Sequence, residues 1–184
     1  MQQMSGTNMI VTEIGSIIQQ YDQSLAIYAP LIANVIQLVA TLASVPALKK
    51  YGRKNLILLG NFSLGIFDLI MGVMFLVAAV TGWKPAIYIV LVFILLFMIS
   101  YGVTIGPIVW LYVPEIIPAK IVPVATFMNW FGCSICIIAT PFVIDAVGSP
   151  YPVFFAFGAI TLFFFIFNYS MLIETEGLTR KQIL

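Results

Sequence analysis

Residues 85–114 read PAIYIVLVFILLFMISYGVTIGPIVWLYVP, a stretch that contains no charged side chain. Because about 20 apolar residues suffice to cross the hydrocarbon core of a bilayer, this stretch predicts a membrane-spanning segment. It lacks the strict alternation of apolar and polar residues that is typical of a strand in a membrane barrel. We therefore expect an α-helix, which satisfies its own backbone hydrogen bonds in lipid.

The rest of the chain repeats this pattern. Charge-free stretches cover residues 23–48, 121–144 and 146–173, and residues 55–83 carry one charge, Asp68. Residues 1–21 are mostly apolar but contain Gln2, Gln3, Asn8 and Glu13. The sequence thus predicts an all-α membrane protein, a single bundle of six transmembrane helices with a short tail at 174–184. The predicted helices are 1–20, 25–48, 55–82, 85–113, 119–147 and 150–173.

The composition excludes several classes of function. Of 184 residues, 62% are hydrophobic and 8% are charged, and the net charge is +1. This charge is too sparse for a nucleic-acid-binding surface. Histidine is absent, and the two cysteines, Cys133 and Cys136, lie in an apolar segment where packing is the expected role. We expect no enzyme activity, no metal and no cofactor, and the first residues lack the pattern of a signal or transit peptide.

Basic residues predict the orientation in the membrane. Seven of the eight fall on one side of an alternating topology, and Lys84 lies alone on the other. The seven are Lys49, Lys50, Arg53, Lys54, Lys120, Arg180 and Lys181. The positive-inside rule places loops 49–54 and 114–120 and the C-terminus on the cytoplasmic or equivalent side.

Polar residues within the first helix have two interpretations. The amides of Gln2, Gln3 and Asn8 carry donors and acceptors that suit a hydroxyl-rich ligand. Alternatively, they hold neighbouring helices together. Gln3 and Asn8 are about 140° apart around a regular helix, so a broken helix would bring them to one cavity more easily.

The fourth and fifth helices also contain residues that interrupt a helix or that suit a binding site. Gly106-Pro107 weakens the fourth helix in mid-span, and freed backbone groups there must face protein or water. Trp110 follows the break and offers a flat face to a sugar ring, its alternative being a place in the interfacial belt. Asn129-Trp130 lies in the fifth helix, with a kink expected at Thr140-Pro141.

Six short motifs resemble those of the sugar porters of the major facilitator superfamily. They follow in the family's order and at the expected helix ends: residues 2–8 resemble QQxSGxN, Gly52-Arg53-Lys54 the end of DRxGRR, 106–110 GPxxW, 115–118 ExxP, Asn129-Trp130 NW, and 174–177 the end of PETKG. The resemblance covers the whole chain but only the C-terminal half of that fold.

This resemblance implies a hexose site and a gate. The implied sugar-binding residues are Gln2, Gln3, Asn8, Gln37, Trp110 and Asn129. The implied gating residues are Gly52, Arg53, Lys54, Gly106, Pro107, Glu115 and Glu174. It further implies alternating access together with a second six-helix half, surrounding lipid, and residence in the plasma membrane.

Several positions depart from the family pattern. Gln37 stands where an asparagine is usual, and Gly102 where a sugar-binding glutamate is frequent. Lys49 replaces a gate acid, and Val122 replaces a gate arginine. An inverted charge converts attraction into repulsion, on the order of one to a few kcal/mol near a surface.

These departures keep a second hypothesis open. A half-transporter can be recruited as a structural subunit of a larger membrane complex, for example in an organellar membrane such as the mitochondrial inner membrane. Asp68 and Glu13 are candidates for proton coupling, since desolvated carboxylates titrate near neutral pH. For Asp68 the favoured interpretation is an acid satisfied by amides or by a partner chain.

Overall fold

The computed structural model describes residues 2–19, 23–175 and 177, and this part of the chain is helical with no strand. The α-helices are α1 (Thr7–Gln19), α2 (Gln23–Tyr51), α3 (Arg53–Thr81), α4 (Ala86–Val103), α5 (Ile105–Ile116), α6 (Val122–Val147) and α7 (Tyr151–Met171). A 3-10 turn over Gln3–Ser5 precedes α1. Among the described residues, five segments are long and apolar enough to cross a membrane: α2, α3, α4 with α5, α6 and α7. The prediction of an all-α membrane fold is confirmed.

The first segment is shorter and less regular than the helix expected over residues 1–20. Its polypeptide turns at Gly6, which has a φ of 77°, a left-handed conformation that glycine adopts without strain. A Cβ at Gly6 would also lie 2.9 Å from the ring of Phe157 on α7. The regular helix therefore begins only at Thr7.

The segment predicted over 85–113 is divided into α4 and α5 at Thr104, whose φ of −114° and ψ of −99° are not helical. The break lies three residues before Pro107. Proline lacks the N–H that would pair with the carbonyl four residues earlier, and its ring crowds that carbonyl. For Pro107 the affected carbonyl belongs to Val103, so the helix opens directly after it.

Helix α3 is central in the bundle and packs along both α7 and α4. Glycines permit a close approach to α7: a Cβ at Gly65 would lie 2.7 Å from Leu162, and one at Gly158 would lie 2.9 Å from Leu69. Small residues commonly allow such approaches between membrane helices. The core beside them includes Phe75 of α3 and Phe154 of α7, with stacked rings 5.2 Å apart.

Helices α2 and α6 lie at the periphery and expose apolar side chains. Large exposed residues include Ile27, Leu38 and Leu42 on α2, and Phe127, Phe131 and Phe142 on α6. Helix α6 is continuous across Thr140-Pro141, and the kink expected there stays a prediction. The tail residues Arg180 and Lys181 lie outside the described residues.

Candidate functional site

A groove lies between the Gln3–Ser5 turn, α5 and α6, beside the helix break at Thr104. Gln2 stands at its base and is 5% exposed. The Gln2 Nε2 group donates a hydrogen bond of 3.0 Å to the carbonyl oxygen of Gly106. The Oε1 atom of Gln2 accepts a bond of 3.0 Å from Nδ2 of Asn129. One amide thus joins the start of the chain to α5 and α6.

The indole ring of Trp110 lines the same groove and lies beside the ring of Trp130. The rings of Trp110 and Trp130 are tilted by 36°, with centroids 6.4 Å apart, and both side chains are about half exposed. The groove has a volume of about 350 Å³ and is lined by Gln2, Trp110 and Asn129 together with apolar groups such as Val113 and Val122. A mostly apolar pocket of a few hundred Å³ with a few convergent polar groups is typical of small-molecule sites.

Gln3 and Asn8 form a separate pair. The Nδ2 group of Asn8 donates to Oε1 of Gln3, across the turn at Gly6. Gln3 is buried and Asn8 is half-buried, and neither lines the groove beside Trp110. The break in the helix brings these two amide side chains together. In this conformation they bind each other rather than lining the groove.

A polar network closes one end of the bundle, which we call the basic end because Lys49, Lys50, Arg53, Lys54 and Lys120 lie there. An Nη2–Oε1 distance of 3.3 Å joins Arg53 of α3 to Glu115 of α5 in a half-buried ion pair. The other carboxylate oxygen of Glu115 accepts a bond of 2.5 Å from Oγ1 of Thr175.

Glu174 caps the start of α3 at this end. Its two carboxylate oxygens accept the backbone N–H groups of Arg53 at 3.0 Å and Lys54 at 3.1 Å. A carboxylate is well placed there, because the first N–H groups of a helix lack partners and carry a partial positive charge. Gly52 has a φ of 76°, and a Cβ added to it would lie against the Glu174 carboxylate. Glycine at position 52 therefore makes room for the cap.

The sequence motifs did not indicate two further contacts of this network. The hydroxyl of Tyr112 donates 2.9 Å to the carbonyl of Ile173 and accepts the Ile173 N–H at 3.2 Å. Thr175 binds Glu115, as described above. The one available signal was spacing, since Tyr112 and Glu115 are three residues apart and share a face of α5.

The sequence matches the family model described as "Sugar (and other) transporter" over residues 1–184. The chain belongs to the sugar transporter family.

Several named relatives are similar over nearly all of this chain. A facilitated glucose transporter of solute carrier family 2, member 2, from Gallus gallus is 34% identical over 187 residues, which is 99% of this chain and 34% of the relative. The arabinose-proton symporter of Bacillus subtilis is 27% identical, over 89% of this chain and 35% of the symporter. The chain thus spans about a third of the length of these relatives. They are transporters rather than enzymes, in agreement with the prediction.

A solved structure shows the same fold. The major facilitator superfamily proton:xylose symporter XylE, bound to 6-bromo-6-deoxy-D-glucose, matches with a TM-score of 0.84 and 21% identity. The match covers 99% of this chain and 39% of the symporter chain.

Two positions that depart from the family pattern, Gly102 and Gln37, lie where α4 and α2 are in close contact. A Cβ at Gly102 would lie 2.8 Å from Cβ of Ala40 and 2.9 Å from the backbone oxygen of Gln37. Helix α2 therefore occupies the space that a longer side chain at position 102 would need. Gln37 itself is half-buried and does not line the groove.

The altered gate positions have different surroundings. Lys49 is exposed at the end of α2, whereas Val122 lines the groove near Trp110. An apolar group at Val122 extends the groove instead of adding a charge to the basic end. The Arg53–Glu115 pair and the Glu174 cap are formed without either altered position.

Proposed function

We propose that this chain forms the substrate-binding half of a sugar transporter, with the groove beside Trp110 as the site of sugar binding. The observation that carries the proposal is Gln2, which joins the Gly106 carbonyl at the helix break to Asn129 in a groove flanked by an indole. Because Gln2 links the groove to the interrupted helix, sugar binding in the groove and the conformation of the bundle influence each other in this proposal.

The substrate class follows from the chemistry of the groove and from the relatives. The flat face of Trp110 packs against C–H groups of a sugar ring, and the amides of Gln2 and Asn129 exchange hydrogen bonds with its hydroxyls. The named relatives transport glucose or arabinose. A hexose or a closely related monosaccharide is therefore the proposed substrate. In this proposal Gln3 and Asn8 join the site when the turn at Gly6 rearranges, and Gln37 joins it by a movement of α2.

Transport in this proposal needs a second six-helix half. The groove is open on one side, and a midplane site in this superfamily lies between two bundles that rock against each other. The break between α4 and α5 at Thr104, followed by Gly106-Pro107 in the first turn of α5, provides the bend. The contacts of Arg53, Glu115 and Glu174 close the basic end and must separate when that end opens. Lipid covers the remaining apolar surface, and the basic end faces the cytoplasm of a plasma-membrane protein.

Uptake of radiolabelled hexose into proteoliposomes tests this proposal. The chain is purified with whatever second half accompanies it and is reconstituted, with protein-free vesicles as the blank. Trp110→Ala is expected to weaken sugar binding roughly tenfold, since truncating an aromatic anchor that the bound ligand covers typically costs more than 1 kcal/mol.

The matched control is Trp83→Ala, because Trp83 is an exposed tryptophan of similar accessibility in the turn between α3 and α4. If both variants lose sugar binding to the same extent, Trp110 has no specific role in the site. A correctly folded wild-type complex that takes up no hexose would instead support the structural-subunit hypothesis.

A further inference from the structure

Asp68 is a carboxylic acid in the centre of the bundle. It lies close to the midpoint of α3 and is 0% exposed. Within the described residues neither of its carboxylate oxygens has a hydrogen-bond partner. The amides that the sequence suggested as partners are therefore not bonded to it.

The face of α3 that carries Asp68 is mostly apolar, and Asn61, two helical turns before it, is the other buried polar side chain described on that face. Leu64, Met71 and Phe75 share its helix face, at the spacing of a buried stripe, and each is at most 1% exposed. Gly65 and Gly72 bring α7 close on this side: their missing side chains would meet Leu162 and Phe155. Asp68 thus lies in a packed, largely apolar seam between α3 and its neighbours, about two helical turns from the amide of Asn61.

No described cation is near enough to compensate a charge there. The described lysines and arginines lie at helix ends or in loops, and the nearest on α3, Arg53 and Lys54, are roughly 20 Å away at 1.5 Å per residue. The titratable groups on the elements packed against α3 are Tyr28, Lys49, Lys50 and Tyr51 on α2, Tyr88 and Tyr101 on α4, Tyr112 and Glu115 on α5, and Tyr151 and Tyr169 on α7. Glu13 lies on α1, beyond these elements.

Along the bundle axis, a side-chain contact of 2.5 Å between Ser63 of α3 and Ser100 of α4 places Tyr101 near the height of position 63. Position 63 is five residues, or roughly 7.5 Å, from position 68 along the helix. A tyrosine side chain never carries a positive charge, so Tyr101 supplies no counter-ion to Asp68. Among the described residues, an ionised Asp68 would consequently have neither a counter-ion nor a hydrogen-bond partner.

We propose that Asp68 is a proton-binding site within the membrane, protonated in this conformation and deprotonated when water enters the bundle. A buried carboxylate without partners is far less stable than the neutral acid, so the O–H bond persists while the seam is dry. On hydration that bond breaks, the proton passes to water, and the carboxylate stays on α3. The reverse step restores the acid when the seam closes.

The interrupted start of the chain supplies a path for this hydration. The turn at Gln3–Ser5 packs against both α3 and α7, and Oγ1 of Thr161 donates 3.4 Å to the carbonyl of Met4. The same turn carries Gln2, which contacts the groove. When ligand binding rearranges this turn, its packing against α3 and α7 therefore changes, and water can reach the seam between them. Resting on the proposed function, this links the proton of Asp68 to the sugar.

Infrared spectroscopy of the full chain in lipid tests the protonation itself. The wild-type spectrum is expected to contain the carbonyl stretch of a protonated carboxylic acid at neutral pH, and Asp68→Asn is expected to lose it. Asp145→Asn is the matched control, because Asp145 is an exposed acid near the end of α6. Asp68→Leu provides a second variant with the same expected loss.

An acid band that persists in both Asp68 variants, or no acid band in the wild type, would overturn the proposal. This readout does not require transport, so it stands even when hexose uptake fails and the proposed function is rejected.

A second experiment tests the coupling. Hexose uptake is compared with and without an inward proton gradient in vesicles that contain the full complex. The wild type is expected to respond to the gradient, and in Asp68→Asn the ratio of the two rates should fall to unity. Trp110→Ala is expected to lower both rates while keeping their ratio. A ratio that is unchanged in Asp68→Asn would overturn the coupling.

Discussion

Gln2 is the residue on which the groove depends most directly. Its amide is nearly fully buried and bonds both to the Gly106 carbonyl and to Asn129. Replacing it by alanine leaves two polar groups without their partner, which costs on the order of 1–3 kcal/mol when the remaining groups are buried. We expect Gln2→Ala to lower the free energy of unfolding in mild detergent by about 1–2 kcal/mol, measured by thermal unfolding.

Gln19→Ala serves as the control for that measurement. Gln19 is exposed at the end of α1, and surface substitutions of this kind usually change stability by less than about 0.5 kcal/mol. If both variants shift the unfolding transition equally, the two hydrogen bonds of Gln2 contribute nothing specific.

Arg53 and Glu115 form the ion pair of the basic end, and their side chains are 21% and 30% exposed. Because water reaches both groups, we expect a modest coupling energy of about 0.5–1 kcal/mol. A double-mutant cycle with Arg53→Gln and Glu115→Gln measures it, and the coupling should shrink as salt screens the pair. A coupling near zero at low salt would mean that the pair does not hold this end closed.

Single residues show what can be predicted from sequence and what cannot. The polar character of Gln2, Asn129 and Asp68 was visible because each lies in an apolar segment. The contact between Gln2 and Asn129 was not, because 127 positions separate them and only helix packing decides which faces meet. Similarly, the isolation of Asp68 depends on the helices packed against α3, and no local pattern encodes it.

At the scale of elements, the approach of α2 to α4 depends on the absence of a side chain at Gly102. A Cβ there would lie 2.8 Å from Ala40 and 2.9 Å from the backbone of α2, and backbone atoms cannot easily shift. We expect Gly102→Ala to destabilise the fold by about 1–3 kcal/mol through overpacking, measured by thermal unfolding in detergent.

Gly132→Ala is the matched helical control, since an added Cβ on α6 meets nothing within 4 Å. Alanine is the better helix former, so this control should leave stability unchanged or raise it slightly. A Gly102→Ala variant as stable as the control would show that α2 and α4 are packed less tightly than the distances indicate.

The sequence predicted that the fourth helix would be interrupted, but not the residue at which the interruption lies. Gly106-Pro107 indicated an interruption, yet the non-helical residue is Thr104, because proline disturbs the preceding turn more than its own. Pro141 gave the same signal in α6 without a break. There the Thr140 hydroxyl bonds to the Cys136 carbonyl at 2.7 Å within the helix. Whether a proline breaks a membrane helix therefore depends on its neighbours, which single-sequence patterns do not contain.

At the scale of the whole molecule, the exposed apolar faces and the groove belong to one arrangement. Helices α2 and α6 expose large apolar side chains, and the groove between α5 and α6 opens beside them. An apolar surface is stable against lipid, but polar groups such as Gln2 and Asn129 are costly there. The proposed second half resolves this conflict, because it covers the groove while lipid covers the remaining faces.

The orientation of the whole bundle is the final prediction. Lys50 lies at the basic end of α2, and Lys84 lies in the turn that joins α3 to α4 at the opposite end; both are exposed. By the positive-inside rule, a cysteine at position 84 should react with an impermeant maleimide added outside intact cells. A cysteine at position 50 should react only after permeabilisation. Both native cysteines are buried and are replaced by alanine in the background.

A third site makes this labelling experiment decisive. Gln23 is exposed at the start of α2, one membrane thickness from Lys50, so Gln23→Cys should label together with Lys84→Cys. If position 50 is labelled from outside while positions 23 and 84 are protected, the bundle has the opposite orientation to the one predicted. The contacts of Arg53, Glu115 and Glu174 would then close the outer rather than the cytoplasmic end. In the proposed transport cycle these contacts must open, so the labelled side determines which gate they would form.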